Sequence, residues 1–267
     1  MFNPFKKRGT IGAVKDTREP LAKGLDYSLD EIVTVADGAP FSHKKPTFLE
    51  FWYDQYSTLS CVAHSVHNQF HYNKIPAMEL SRLQTYRKRS NYPGGGMWLQ
   101  DAYDRVKKGT RTYVHTPTPE NCTEAQANAL PYDEGTIEEK FTYHTSTDPK
   151  KALRFVNAGI AVEVFIYATV NEWSKEYVTA TDTVSLDTAS IRHGVVLIPK
   201  GDFNENGVNW YAVHDSAKFG GRFLRYVSEQ FLLSRCYSLG VALPIVESPT
   251  VPVVKPTVAV KFGDRSV

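Results

Sequence analysis

The chain has 267 residues, of which 42% are hydrophobic and 12% aromatic, enough for one large domain or two half-domains sharing a cleft. With 31 basic and 29 acidic residues the net charge is +2, which leaves no electrostatic case for nucleic acid or an acidic membrane as a partner. No run of about 18 apolar residues could span a bilayer, the first residues lack the apolar core of an export signal, and three cysteines exclude a disulfide-rich framework.

Residues 1–45 read as a polar lead containing Gly and Lys, and the short basic clusters Lys6-Lys7-Arg8 and Arg87-Lys88-Arg89 read as solvated surface. A helix is predicted from Cys61 to about Asn73. A second is predicted from Met97 to Lys108, where Trp98, Leu99, Ala102 and Val106 form a stripe at helical spacing and Gly109 supplies the stop. The stretch from Thr110 to Tyr143 holds Pro117, Pro119 and Pro131 with little periodicity, and reads as an irregular crossing. Asp148 as a cap and Pro149 in the first turn predict a helix that ends at Gly159.

Strand-like runs rich in Val, Ile, Tyr and Phe follow near 160–170, 177–186, 191–199, 208–215 and 223–227, with Gly201 to Gly207 read as a loop. From Pro244 to Pro256 the chain alternates Pro with Val and cannot form a helix. That segment either trails as a tail or forms an extended arm that adds a strand to this sheet or to a protein partner. The expected fold class is α+β. A lead spans 1–45, a domain spans 46–243 with a mainly helical half (about 46–145) and a mainly β half (about 146–243), and an arm spans 244–267.

The chemistry centres on Cys61, which opens the first helix. A thiol is largely protonated at neutral pH, and both a helix N-terminus and a neighbouring imidazolium stabilise the thiolate that acts as nucleophile. The candidate imidazole is His193, 132 positions downstream, and Asp215, 22 positions further on, ends the strand-like run Trp210-Tyr211-Ala212-Val213-His214 where it can orient the ring. Gln55, six residues before Cys61, is near enough for its amide to meet an oxyanion formed in front of the sulfur. Two other readings compete. Cys61 could be an ordinary buried cysteine. His64, His67 and His71, spaced by three and four on one helix, could hold a metal with Cys61, but that would consume the nucleophile, so filling the helix face is the expected role and no metal or cofactor is called for.

The order and spacing of these residues resemble the papain family of cysteine peptidases, in which about 130 to 150 residues separate the Cys from its distant partners. Gln55 stands at the position of that family's oxyanion glutamine, and Cys61, Ala63 and Ser65 match its Cys-x-Ala-x-Ser pattern. Leu80-Ser81, Gly94-Gly95-Gly96-Met97-Trp98 and the run from His193 to Ile198 also fall where the family has related segments, so the likeness covers about Pro46 to Leu232. The resemblance implies a papain-like fold, a helical half and an antiparallel, barrel-like half with the cleft between them. It implies a thiol protease that cleaves a peptide or protein substrate through an acyl-enzyme. Cys61 would be nucleophile, His193 base and then acid, Asp215 orienter and Gln55 an oxyanion donor. Gly95 and Gly96 would pair main chain to main chain with the peptide, and Arg192 would join them in substrate binding.

Four features depart from the family pattern. Its catalytic asparagine is Asp215, the tryptophan expected two residues later is Ala217, its first signature cysteine is Thr58, and the lead is too short for the usual helical propeptide. Aspartate can still orient an imidazole, and Phe219 is the nearest candidate to replace the missing indole as a cover. The expected compartment is reducing, cytoplasmic or virion-associated, with pairing between Cys122 and Cys236 left open. The alternative function is a catalytically weakened fold kept as a structural or binding component of an assembly such as a virus particle. Transglutaminase- and amidase-type enzymes place the histidine much nearer the cysteine than 132 residues.

Overall fold

The structure is a computed structural model, and it describes residues 43–75, 80–112, 114–131 and 140–245. The predicted lead, apart from residues 43–45, and the predicted arm, apart from residues 244 and 245, therefore lie outside the described residues.

Helix α1, Cys61–Tyr72, is buried from Cys61 through Phe70. A helix enclosed on all sides must satisfy its polar side chains internally. His67 Nε2 lies 2.9 Å from Thr85 Oγ1, in α2 (Arg82–Arg87), and Gln69 donates to the main-chain carbonyls of Ala161 and Gly240. Asn68 reaches His214 Nε2 at 3.4 Å. Helix α3, Leu99–Lys107, packs on the same core through Leu99, Ala102, Tyr103 and Val106, and the Tyr103 hydroxyl donates to Gln69.

Within the expected irregular crossing lies a short helix α4, Glu124–Ala129, closed by a reciprocal capping box between Thr123 and Gln126. The sheet starts there too, with β1 at Phe141–Ser146. Helix α5, Pro149–Asn157, begins as predicted, with the Asp148 carboxylate accepting from the Lys150 N–H. The chain continues through β2 (Val162–Ala168), α6 (Val170–Trp173), β3 (Tyr177–Val178), β4 (Ile191–Glu205), β5 (Val208–His214), a 3-10 turn (Phe219–Gly221), β6 (Leu224–Ser228), α7 (Glu229–Arg235) and β7 (Cys236–Pro244).

Two strand expectations need correction. The run at 177–186 is a strand only at Tyr177–Val178, because Glu172 binds the Thr181 and Asp182 N–H groups and Arg235 binds the Asp182 and Val184 carbonyls, which holds a loop. The segment from Gly201 is strand as far as Glu205, and only Asn206-Gly207, both at positive φ, make the turn into β5. A register shift between Leu197 and Asp202 absorbs the irregularity.

The seven strands run β1-β7-β2-β4-β5-β6-β3, antiparallel except for the β3–β6 pair. One face covers α1. The other end of the sheet carries a smaller cluster of Phe203, Trp210, Ala212 and Tyr226, against which the segment entering the domain is lashed. There Lys45 Nζ sits 4.5 Å from the centres of both the Tyr177 and Tyr226 rings, and His43 lies 2.7 Å from Asp202. Among the described residues no helix is long and apolar enough to cross a membrane.

Burial keeps several histidines around α1 uncharged. Desolvation, with the Arg82 cation adding to it, lowers His64 to about 3 and His67 well below its ordinary value. Desolvation likewise lowers His214 to about 3, against the opposing pull of Asp215. Each binds a proton more readily unfolded than folded, so its contribution is intact above about pH 6.5 and is lost as pH falls below that value toward about 3. Thermal denaturation followed between pH 7 and pH 4 should therefore show a steep loss of stability, on the order of 1 kcal/mol per pH unit for each such histidine. A melting temperature that stays level between pH 6.5 and 4.5 would contradict neutral burial of this cluster.

Candidate active site

Cys61 occupies the first position of α1, so the helix N-terminus lies behind its sulfur. The preceding loop is fixed locally. Thr58, which stands where the papain pattern has a cysteine, donates to the Gln55 carbonyl at 2.7 Å and sits 2.5 Å from Ser60 Oγ, which in turn lies 3.0 Å from His64 Nδ1. Hydrogen bonds thus anchor the segment that a disulfide would otherwise hold. All three cysteines are free and buried.

His193 is on β4, which packs directly beneath α1. Its neighbour Gly194 explains how closely the two elements meet. A Cβ there would lie 3.2 Å from Ser65 Oγ and 3.3 Å from Phe165, tighter than ordinary contact, while the Gly194 N–H points at Cys61 Sγ, 3.5 Å away. His193 Nε2 lies 2.6 Å from Asp215 Oδ1. Its other nitrogen, Nδ1, is buried and makes no hydrogen bond, and the Cys61 sulfur lies near enough to help raise the ring's pKa, so Nδ1 is the nitrogen left to face it.

Burial alone would depress the imidazole, but Asp215 and then Cys61 outweigh it and raise His193 to about 10. Asp215 moves the other way. Its burial favours the neutral acid, yet His193 and Arg225 hold the carboxyl below the usual carboxylate range. Oδ1 also accepts from the Ala217 N–H at 2.8 Å, and Oδ2 accepts from Trp173 Nε1 at 3.0 Å and Arg225 Nη1 at 2.7 Å.

Trp173 and Arg225 are absent from the sequence reading. Trp173, at the end of α6, is almost fully buried and meets the His193 ring edge-on, at 6.0 Å and 80°. An indole therefore shelters the His–Asp bond although position 217 is alanine, and the main-chain carbonyl of Phe219 accepts from Arg225. No local signal marks either residue, since Trp173 lies 42 positions from Asp215 and an arginine in a strand reads as surface.

Gln55 is fully buried, with one amide N–H donated to the Thr58 carbonyl at 2.9 Å and its oxygen accepting from Ser216 Oγ at 2.7 Å. A side-chain amide carries two N–H groups, so one is left for a ligand. The glycine loop is arranged differently from expectation. Gly96 is buried, its N–H donated to Tyr86 Oη and its carbonyl accepting from Asn91, whereas Gly95 is exposed beneath the Leu59 side chain, which any Cβ at Gly95 would overlap. Arg192 donates to the Leu186 and Asp187 carbonyls and so braces the loop before β4. His64, His67 and His71 do not converge, and no group of metal-ligating side chains occurs among the described residues.

These features define a class. The fold is that of the papain-like cysteine proteases. Xylellain, a cysteine protease from Xylella fastidiosa, superposes with a TM-score of 0.65 at 16% identity, covering 90% of this chain and 98% of that one. Digestive procathepsin L 3 of the Tenebrio molitor larval midgut matches with a TM-score of 0.57 at 14% identity, over 88% of this chain and 76% of that one. A recombinant stem bromelain precursor matches at 0.54 and 14%, over 83% and 69%. No protein-family model matches the sequence, and no curated relative matches it either.

One buried acid lies just behind the catalytic candidates. Glu163 on β2 is fully buried and accepts from the Ser65 hydroxyl, and desolvation raises its carboxyl well above the usual range despite help from Ser65 and Tyr103. The folded state thus holds a proton that the unfolded chain releases, and this contribution is lost as pH rises from the ordinary carboxylate range toward the folded value. Glu163→Gln removes that cost. Its melting temperature at pH 8 should exceed that of wild type by at least about 2–4 °C, the shift that about 1 kcal/mol produces in a chain of this size. Parallel pH dependences for the two proteins would show that Glu163 does not carry the proton.

Proposed function

We propose that this protein is a papain-like cysteine peptidase that cleaves peptide bonds through an acyl-enzyme. The observation that carries the reading is the meeting of three residues from distant parts of the chain, Cys61 from α1, His193 from β4 and Asp215 beyond β5, with Asp215 on the ring nitrogen that does not face the sulfur. In this reading the Cys61 thiolate attacks the peptide carbonyl carbon, and the oxygen takes up charge in front of the Cys61 main-chain N–H and the remaining Gln55 amide N–H. The His193 imidazolium then gives its Nδ1 proton to the leaving amine. A water, deprotonated by the same nitrogen, attacks the thioester and frees the thiolate. The peptide main chain pairs along Gly95, the exposed member of the glycine loop, with Arg192 bracing the adjoining wall. The peptidase unit spans 46–243.

A second reading has its own observation. Cys61 is 0% and His193 1% exposed, so the reacting atoms are enclosed. Enclosure favours a fold retained for binding or assembly, its chemistry weakened.

A fluorogenic peptide and an epoxysuccinyl inhibitor separate the two. Hydrolysis and one inhibitor adduct per chain, mapped to Cys61, are expected, and Cys61→Ala should abolish both without changing the circular dichroism spectrum. Hydrolysis that survives Cys61→Ala would overturn the mechanism, whereas neither hydrolysis nor adduct in wild type would favour the second reading.

Asp215 gives a pH signature. Its carboxylate favours the imidazolium, so Asp215→Asn should move the alkaline limb of the kcat/KM profile downward while appreciable activity persists, because an amide still orients the ring. A limb that stays in place or rises would remove Asp215 from contact with His193 during turnover.

A further inference from the structure

Arg225 is a fully buried cation whose donors are spent almost entirely around the site. Its Nη1 donates to Asp215 Oδ2 at 2.7 Å and to the Arg222 carbonyl at 3.1 Å, Nε donates to the Trp173 carbonyl at 2.9 Å, and Nη2 donates to the Phe219 carbonyl. The guanidinium fork thus grips three things at once: the carboxylate, the residue carrying the indole, and the 3-10 turn that follows Asp215. It comes from β6, directly opposite Val213 of β5.

A buried carboxylate is costly unless paired, and Asp215 has two oxygens to satisfy. Oδ1 faces His193 and the Ala217 N–H. Oδ2 faces Arg225 and Trp173. The two edges are therefore divided between the ring to be oriented and the cation that offsets the charge.

We propose that Arg225 is a positioning residue of this site: it locks the carboxylate with Oδ1 toward His193 and offsets its charge, so that the imidazolium is held less tightly than an unpaired aspartate would hold it. The proposal rests on the thiol–imidazole reading above and adds a residue to it. An aspartate in place of a neutral amide would by itself bind the imidazolium proton too firmly for easy transfer to a leaving group. With Arg225 attached, the orienting unit is an ion pair of zero net charge. Trp173 completes it by donating to the same oxygen and covering the ring.

The other charged or titratable groups around the pair are Cys61 on α1, His214 on β5, Arg222 before β6 and Asp54 ahead of α1. Tyr237 on β7 faces Cys61. His214 is neutral at working pH, and Asp54 bears the same sign as Asp215, so apart from His193 itself Arg225 is the cation in direct contact with the carboxylate.

The test reads the His193 imidazole by NMR in the full chain with labelled histidine, its signal assigned by its loss in His193→Gln. The titration midpoints should fall in a fixed order: Arg225→Met highest, then wild type, then Asp215→Asn/Arg225→Met, and Asp215→Asn lowest, because that last variant leaves the cation without its partner. Between the last two the expected rise is about one pH unit. Arg225→Lys, which keeps the charge and loses the fork, should stay near wild type. Should Arg225→Met alone fail to fold, the comparison of Asp215→Asn with the double variant carries the test. A double variant at or below Asp215→Asn, or Arg225→Lys displaced as far as Arg225→Met, would overturn the charge offset. The readout needs no turnover. An inactive protein showing the expected order would overturn only the peptidase reading, and an active one without it would overturn only the role of Arg225.

Discussion

The architecture depends on a helix that has no face toward water. Helix α1 carries His64, Ser65, His67, Asn68 and Gln69 into the interior, where an unpartnered polar group costs roughly 1–3 kcal/mol. Their bonds run outward in several directions, to Thr85 in the helical half, to Glu163 and the Gly240 carbonyl in the sheet, to the Ala161 carbonyl just before β2, and to His214 at the end of β5. One element therefore ties both halves together, and its register is set at five points. Cys61, at the end of that element, inherits the precision.

Three kinds of buried ionisable group meet around α1, and each is handled by a different physical route. His64 and His67 are left neutral because desolvation and Arg82 both oppose a charge. Glu163 is kept protonated, since its partners donate too little to offset burial. Asp215 stays charged, because two ionic neighbours and two further donors surround it. The contrast between Glu163 and Asp215, carboxyls on neighbouring parts of one sheet, shows that partner count and charge decide the protonation state once depth is equal. A site needing a fixed orienting charge and a quiet surrounding core requires both outcomes.

Much of this was legible in the sequence where the signal is local. Cys61 at a helix start, Asp148-Pro149 before another helix and the order of Cys61, His193 and Asp215 are short-range patterns or simple spacings. The capping box Thr123-Glu124-Ala125-Gln126 and the Asn206-Gly207 turn were equally readable, but prolines and the Gly201–Gly207 composition outweighed them. Trp173 and Arg225 belong to another category. Their roles exist only because β5, β6 and α6 converge, and a single sequence gives no pattern linking positions 173, 215 and 225. The fate of residues 179–186 was hidden for the same reason, since Arg235 and Glu172 reach in from elsewhere to hold a loop that β-branched residues alone would make a strand.

The two remaining cysteines give the molecule an internal blank. Burial, with Glu124 adding to it, raises the Cys122 thiol, and burial pushes the Cys236 thiol up to about 12, so both are protonated and shielded in the native protein. Thiolate reactivity in the folded chain consequently centres on Cys61, the thiol with an imidazole beside it, although all three cysteines are buried. Labelling mapped residue by residue separates opening of the enclosure around Cys61 from reaction at Cys236, which is 9% exposed against 0% for Cys61, and unfolding brings the total to three. Labelling followed at Cys61 itself gauges how often the cleft admits a visitor, with the two protonated thiols as the comparison.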